Sequence, residues 1–350
     1  LVPFRKAVDQ GVDAVMTAHV IVSGVQGLEG APATFDARIM TDLLRHDLGF
    51  DGLLFTDALV MGALSERYGT GDVAVLALEA GSDVLLMPTD VTEAIDAVMA
   101  AVDRGRLEPS RIRTSARRVL ETKARAGLHI GRMVDLDAVD DVVGAAGHLA
   151  FADTVATRSI TLLRDRDAVL PVDARWTRTV LSLTYGHPDN LIAGSTFDRA
   201  LANRVEVASR ARVGPETPPE VYDSLRGLAG EADLVIVSVY VPPRSGTGEV
   251  SVSEDMADFI SAVAPQRPMM VISFGNPYLL AALPDSPGYL IAWGAHEVSQ
   301  NAAVRALFGQ AAISGRLPVS IPPYHGIGDG LTRSALPDRV GVDRSSAEVD

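Results

Sequence analysis

The chain has 350 residues, of which 47% are hydrophobic, enough to bury two separate cores, so two domains are expected. A formal charge of −14 leaves no basic stripe to neutralise phosphates, which argues against nucleic acid and against an anionic membrane surface as partner. Cysteine is absent, which excludes disulfides and thiolate metal sites and leaves the compartment open.

In chain order, the first ten residues read as a helix already under way, and the chain opens on Leu1 rather than Met. Earlier sequence, and any export signal with it, is therefore expected upstream. Asp13 to His19 is a short apolar run ending in polar residues. A helix over Asp36 to Asp47 places Ile39, Met40, Leu43 and Leu44 on one stripe. Gly52 to Phe55 is a second strand, followed by a helix from Asp72 to Ala80, and Asp83 to Met87 a third strand stopped by Pro88. Asp90-Val91-Thr92-Glu93 has capping-box spacing and opens a helix to about Arg104. A further helix starts near Pro109, turns Ile112, Ala116, Val119 and Leu120 inward, and stops at Gly127.

Alternating strands and helices build either an open parallel sheet or a (β/α)8 barrel of about 250 residues. Three strand–helix units make roughly half of one, and His19, Asp57 and the Met87-Pro88 turn fall at the same strand ends. The expected fold class is α/β: residues 1–130 form the carboxyl-terminal part of a TIM-type barrel, 131–150 an acidic connector, and 151–330 an α/β/α sandwich. Strands in the second domain are expected at Ser159–Leu163, Thr179–Leu183, Asp233–Val239, Met269–Ser273 and Tyr289–Ala292, with Pro318–Pro322 at most an edge strand. Residues 331–350 are expected to be a disordered tail. No run of about 18 apolar residues is present, so no transmembrane helix is expected.

Asp57 is the residue of greatest interest. A lone acid at the carboxyl end of a buried parallel strand is costly to the fold unless a site uses it; the plainer alternative is a helix or loop cap. Around it runs Phe55-Thr56-Asp57-Ala58-Leu59-Val60-Met61. This stretch resembles the nucleophile strand of the family 3 glycoside hydrolases, in the form typical of their β-N-acetylhexosaminidase branch. Met16-Thr17-Ala18-His19-Val20 and Ala80-Gly81-Ser82-Asp83-Val84-Leu85-Leu86-Met87-Pro88 resemble the barrel strands on either side. Ser273-Phe274-Gly275-Asn276-Pro277-Tyr278 and Gly315-Arg316-Leu317-Pro318-Val319-Ser320-Ile321-Pro322 are similar to the second domain of two-domain members.

The resemblance implies a retaining glycosidase acting on terminal β-linked N-acetylglucosamine in peptidoglycan fragments or chitin oligosaccharides. It needs no cofactor or metal, and an exported or envelope location fits it. Asp57 would be the nucleophile, since an ordinary carboxylate is ionised at neutral pH. The acid/base of that branch lies on a segment with Lys-His, Gly-His-Gly and Asp-x-x-His patterns, none of which occurs in these 350 residues. His19 would contact sugar hydroxyls or orient Asp57, with a hydrogen-bonded structural histidine the equal alternative. Met61, expected to bind substrate, and Met87 would form pocket wall or, with more weight, core. Glu66 and Asp72 are expected at the start of the next helix, where the macrodipole favours acids.

Two rivals stand beside this reading. In the β-glucosidase branch a second-domain Glu is the acid/base, and Glu249, Glu254 and Asp255 follow a strand on a Gly-rich loop; solvated loop and helix-start acids are the plainer assignment. Gly246-Thr247-Gly248 lacks the third glycine of a dinucleotide fingerprint. The other rival is a catalytically inactive carbohydrate-binding or structural module. The seven histidines are scattered, without a His-Glu-x-x-His helix, and no Gly-x-Ser-x-Gly elbow is present. Oligomeric state is not legible.

Overall fold

The computed structural model describes residues 1–27, 30–242 and 251–337, and the chain divides into two compact units, Leu1–Val139 and Asp140–Asp350. The division falls inside the expected connector.

In the first unit, helix Val2–Asp9 leads into strand β1 (Ala14–Met16), which pairs in parallel with β2 (Leu53–Phe55). The third expected strand is extended but makes only one parallel bridge, Phe55 to Val84, continued by Leu59 N–H to Leu86 O at 2.9 Å and Val60 N–H to Met87 O at 3.1 Å. The helix expected over 36–47 runs from Arg38 to Asp47 and is wound as a π-helix, with Met40 and Leu44 buried against Phe50, Leu54 and Ala80. Glycine is required at Gly52, because a β-carbon there would collide with the carbonyl oxygen of Asp13, just before β1. Gly81 ends helix Thr70–Ala80 at φ +127°, a conformation other residues rarely adopt. Asp90 caps helix Val91–Asp103 by accepting from Glu93 N–H at 2.9 Å.

Helix Pro109–Arg125 departs from expectation. Its apolar stripe turns inward only in part: Ile112 packs against Val75, Leu78, Ala101 and Leu107 and Val119 is half-buried, but Ala116 is exposed and Leu120 is 65% exposed. A polar seam docks as well, made of Arg111, Ser115 and Arg118 on one helical face, and its target is Asp83. The Asp83 side chain is fully buried. It accepts from Ser115 Oγ at 2.6 Å, Leu54 N–H at 3.1 Å, Arg45 Nη2 at 2.6 Å and Arg118 Nη1 at 3.1 Å, with Arg111 Nη1 at 3.6 Å. Burial alone would raise its pKa; the Ser115 hydroxyl, the Leu54 amide and the guanidiniums of Arg118 and Arg45 outweigh it and hold the carboxyl below the ordinary range.

The second unit is built on a six-stranded mixed sheet ordered β3-β8-β7-β6-β4-β5. Its strands are β3 (Thr161–Asp165), β4 (Val180–Gly186), β5 (Val207–Val213), β6 (Leu234–Tyr240), β7 (Met269–Ser273) and β8 (Gly288–Ile291). All neighbours are parallel except β3 against β8. Side chains alternate between two cores, as the pleat requires. Leu181, Leu183, Val235, Val237, Met269 and Val271 pack with helices Pro219–Glu231 and Glu254–Val263, while Val180, Leu234, Ile236, Met270 and Ile272 pack with helices Ala146–Ser159, Ser195–Ala202 and Glu297–Leu307.

Strand β5 was absent from the sequence expectation. Its signal was the half-exposed alternation of Val207, Ser209, Ala211 and Val213 against Ala208, Arg210 and Arg212, obscured by polar content typical of an edge strand. β3 begins two residues later than expected because the preceding helix takes up Ser159. Pro318–Pro322 forms no strand, only a bridge from Ile321 to His325. The start of the expected tail is paired instead: Leu331 bridges Leu162, Arg333 bridges Ile313, and Arg333 meets Asp165 at 2.6 Å. Among the described residues no helix is long and apolar enough to cross a membrane.

Removing the Asp83 charge strands three guanidiniums around a buried amide. Asp83→Asn is expected to destabilise the first unit by about 3–5 kcal/mol, read as lost hydrogen-exchange protection at the Leu54 amide. Because the folded-state pKa is lowered, this stabilisation is complete above the unfolded value of about 3.9 and disappears as pH falls through the folded value. Protection at Leu54 should fall with acid in the wild type, and the gap to Asp83→Asn should narrow.

Candidate active site

β1, β2 and the Val84 segment run parallel, so the turns that follow them, Thr17–His19, Thr56–Met61 and Leu86–Pro88, lie along one edge. The expected residues His19 and Asp57 meet there. Thr56 pins the centre: buried, it donates its N–H to Val84 O at 3.0 Å and accepts from Leu86 N–H through Oγ1 at 2.9 Å. Asp57 is half-buried, and its Oδ1 accepts from Ala58 N–H at 2.7 Å.

His19 is held at both ends of its ring. Nε2 lies 3.0 Å from Ala58 O, and Nδ1 lies 2.8 Å from Thr34 Oγ1. Thr34 sits in the short 3₁₀ turn Ala33–Phe35, is fully buried, and also reaches Ala18 O at 3.3 Å. Both ring nitrogens thus face partners within the protein, Thr34 on one side and the loop that carries Asp57 on the other. Thr34 and Ala58 had no signal in the sequence, because a threonine in a loop and an alanine after an acid are common everywhere.

Met61 and Met87 are not core: they are 43% and 60% exposed, and Met87 has a φ of +45°. Backbone hydrogen bonds from Leu59 and Val60 to Leu86 and Met87 hold the two turns together, which keeps both side chains out of the packing behind them. Asp72 lies in the first turn of its helix as expected, whereas Glu66 closes the short helix Gly62–Ser65 instead of opening the next one. Glu254 and Asp255 occupy the first turn of helix Glu254–Val263. Glu249 and Gly246-Thr247-Gly248 lie outside the described residues. Among the described residues no three His, Asp or Glu side chains group as a metal site.

Residues 1–122 match the Glycosyl hydrolase family 3 N terminal domain, and residues 160–338 the Glycosyl hydrolase family 3 C-terminal domain. The chain belongs to glycoside hydrolase family 3.

Within family 3, 91% of this chain aligns at 28% identity with the β-N-acetylglucosaminidase/β-glucosidase of Cellulomonas fimi, covering 59% of that protein. The periplasmic β-glucosidase of Salmonella typhimurium aligns at 25% identity over 91% of this chain and 47% of its own length. A solved family 3 β-N-acetylglucosaminidase from Paenibacillus sp. str. FPU-7 superposes with a TM-score of 0.77 at 32% identity, over 89% of this chain and 59% of that one. The chain thus spans 47–59% of the length of these relatives.

In this family 3 chain the Thr56 hydroxyl couples the Asp57 turn to the Leu86–Pro88 turn. Thr56→Val keeps the volume and leaves the Leu86 N–H unpaired, at an expected cost of about 1–3 kcal/mol. Amide exchange at Leu86 should quicken accordingly, while protection in the six-stranded sheet stays unchanged.

Proposed function

We propose that this chain carries the nucleophile half of a retaining β-N-acetylhexosaminidase, with the first unit the carboxyl-terminal part of a (β/α)8 barrel and the second an α/β/α sandwich. The observation that carries the reading is Asp57, placed by its Thr-Asp-Ala-Leu-x-Met segment where three parallel chain ends meet, with one carboxylate oxygen tied to Ala58 N–H at 2.7 Å. A carboxylate so placed attacks the anomeric carbon, and the bond to the aglycone oxygen breaks as the glycosyl–enzyme ester forms. An acid donates a proton to the departing oxygen. The same group then takes a proton from water, which attacks the anomeric carbon and frees Asp57; two inversions give net retention.

The acid/base is assigned to a segment with the Asp-x-x-His pattern, which these 350 residues do not contain. Met61, exposed beside the nucleophile turn, suits an apolar wall against the sugar. The substrate is carbohydrate with terminal β-linked N-acetylglucosamine, from peptidoglycan fragments or chitin oligosaccharides, and the chemistry calls for no cofactor. An exported location is supported by the relative named periplasmic and by one from Arthroderma benhamiae named as secreted. The second reading, a β-glucosidase with a second-domain Glu as acid/base, is favoured by the names of the Salmonella relative and, in part, the Cellulomonas one.

A 5-fluoro N-acetylglucosaminyl fluoride keeps the acetamido group, slows breakdown of the ester and leaves without a proton. It should add one sugar to this chain at Asp57, found by peptide mass spectrometry, and Asp57→Asn should abolish the adduct while the chain stays folded. Labelling at another carboxylate removes Asp57 from the mechanism. In the protein complete with its acid/base segment, aryl N-acetylglucosaminide should be cleaved faster than aryl glucoside. There Glu249→Gln should leave turnover nearly unchanged, whereas a loss of about 100-fold, the scale of a missing general acid, favours the glucosidase arrangement.

A further inference from the structure

The hydrogen bonds around His19 do more than hold a ring. Ala58 O can only accept, so Nε2, 3.0 Å away, must carry a hydrogen. In the neutral ring Thr34 then donates its hydroxyl hydrogen to Nδ1 at 2.8 Å. In the imidazolium Nδ1–H donates to Thr34 Oγ1 instead, and Thr34 turns its hydrogen to Ala18 O at 3.3 Å. Both protonation states are fully partnered, and in both Nε2–H points at Ala58. The Ala58 residue in turn sends its N–H to Asp57 Oδ1 at 2.7 Å, and its carbonyl also accepts Met61 N–H at 3.1 Å, closing a turn. Among the described residues Asp57 Oδ2 has no hydrogen-bond donor.

We propose that His19 is a positioning residue that, through the Ala58 carbonyl, fixes the Ala58 N–H on Asp57 Oδ1 and so presents Oδ2 as the attacking oxygen. This rests on the reading of Asp57 as nucleophile. The Ala58 N–H and carbonyl belong to successive planar peptide groups that only the φ and ψ of Ala58 separate; a carbonyl fixed by the ring and the turn together narrows both torsions, because rotation would break both contacts. The carboxylate plane follows the N–H, and Oδ2 keeps one direction. A lone pair on Oδ2 forms the bond to the anomeric carbon while the leaving group departs with the electron pair of the broken bond. His19 touches neither the sugar nor the carboxylate. Its effect is on orientation, so it should act on the rate of the bond-forming step and leave affinity for the sugar alone.

The test uses the 350-residue chain with the 5-fluoro glycosyl fluoride, measuring the maximal inactivation rate and the half-saturating concentration separately. His19→Ala is expected to lower the maximal rate by about 10- to 100-fold, the scale of a misplaced reacting group, with half-saturation unchanged. His19→Gln, whose amide N–H can still reach Ala58 O, should recover part of the loss. Equal maximal rates in His19→Ala and wild type overturn the proposal, as does a loss seen wholly in half-saturation. Nitrogen-15 NMR of the wild-type histidines supplies an arm independent of labelling. A hydrogen on Nε2 of the neutral His19 ring supports the clamp; an Nδ1–H tautomer with bare Nε2 overturns it. If the wild type takes no label, the assignment of Asp57 as nucleophile fails and the NMR arm alone decides the clamp. If His19→Ala does not fold, His19→Gln and the NMR arm decide it.

Discussion

The first unit depends on one buried carboxylate. Asp83 carries no exposed side-chain surface and collects a serine hydroxyl, a backbone amide and two guanidiniums in direct contact, with a third 3.6 Å away. A charge so placed would cost several kcal/mol if unpaired. Partnered, it becomes the point to which three stretches of chain are tied: Arg45 from the helix before β2, Leu54 within β2, and Ser115 and Arg118 from the last helix of the unit. Three cations around one anion leave positive charge in excess, and burial, with Arg118 next, lowers the Arg45 pKa. The cluster is therefore a device of geometry more than of stability, and it decides which face of helix Pro109–Arg125 docks.

That geometry reaches the opposite end of the strands. Asp83 anchors Leu54 at the heart of β2, and Asp57 follows three residues on. With strand direction set by the ion cluster, the turns after β1, β2 and Val84 have one edge to share, and local hydrogen bonds finish the site: Thr56 to Leu86, His19 to Ala58, Ala58 to Asp57. The ion cluster thus sits toward one end of these parallel strands and the candidate site at the other. The second unit is organised by other means. Its sheet sends alternate side chains into two apolar cores, where burial contributes about 1.5–3 kcal/mol per large side chain.

Much of this was legible in the sequence. The apolar runs at 52–55, 233–239 and 269–273 marked strands because a buried parallel strand is apolar on both faces and needs no alternation. Asp57 stood out because an acid after such a run contradicts its surroundings. Asp90 announced a helix start by spacing alone. The failures share a cause. β5 was missed because an edge strand solvates one face and its arginines mask the period, and the stripe that packs at Ile112 misled at Ala116 and Leu120 because amphipathicity says which face is apolar, not how much of it finds a partner.

By itself, then, the sequence determined the elements whose signal is local, namely strand composition, caps, the helix-ending glycines and the motif that holds Asp57. It also determined the family, since the motifs stand in order along nearly the whole chain. Tertiary structure alone decided that Asp83 gathers Arg45, Arg111 and Arg118 from positions up to 38 and 35 residues away. It also decided that His19 spends both ring nitrogens on Thr34 and Ala58. Those outcomes depend on distances between segments remote in sequence, and hydrogen bonds and ion pairs act only over a few ångströms. No local pattern can encode a partner that arrives only when the chain has closed on itself.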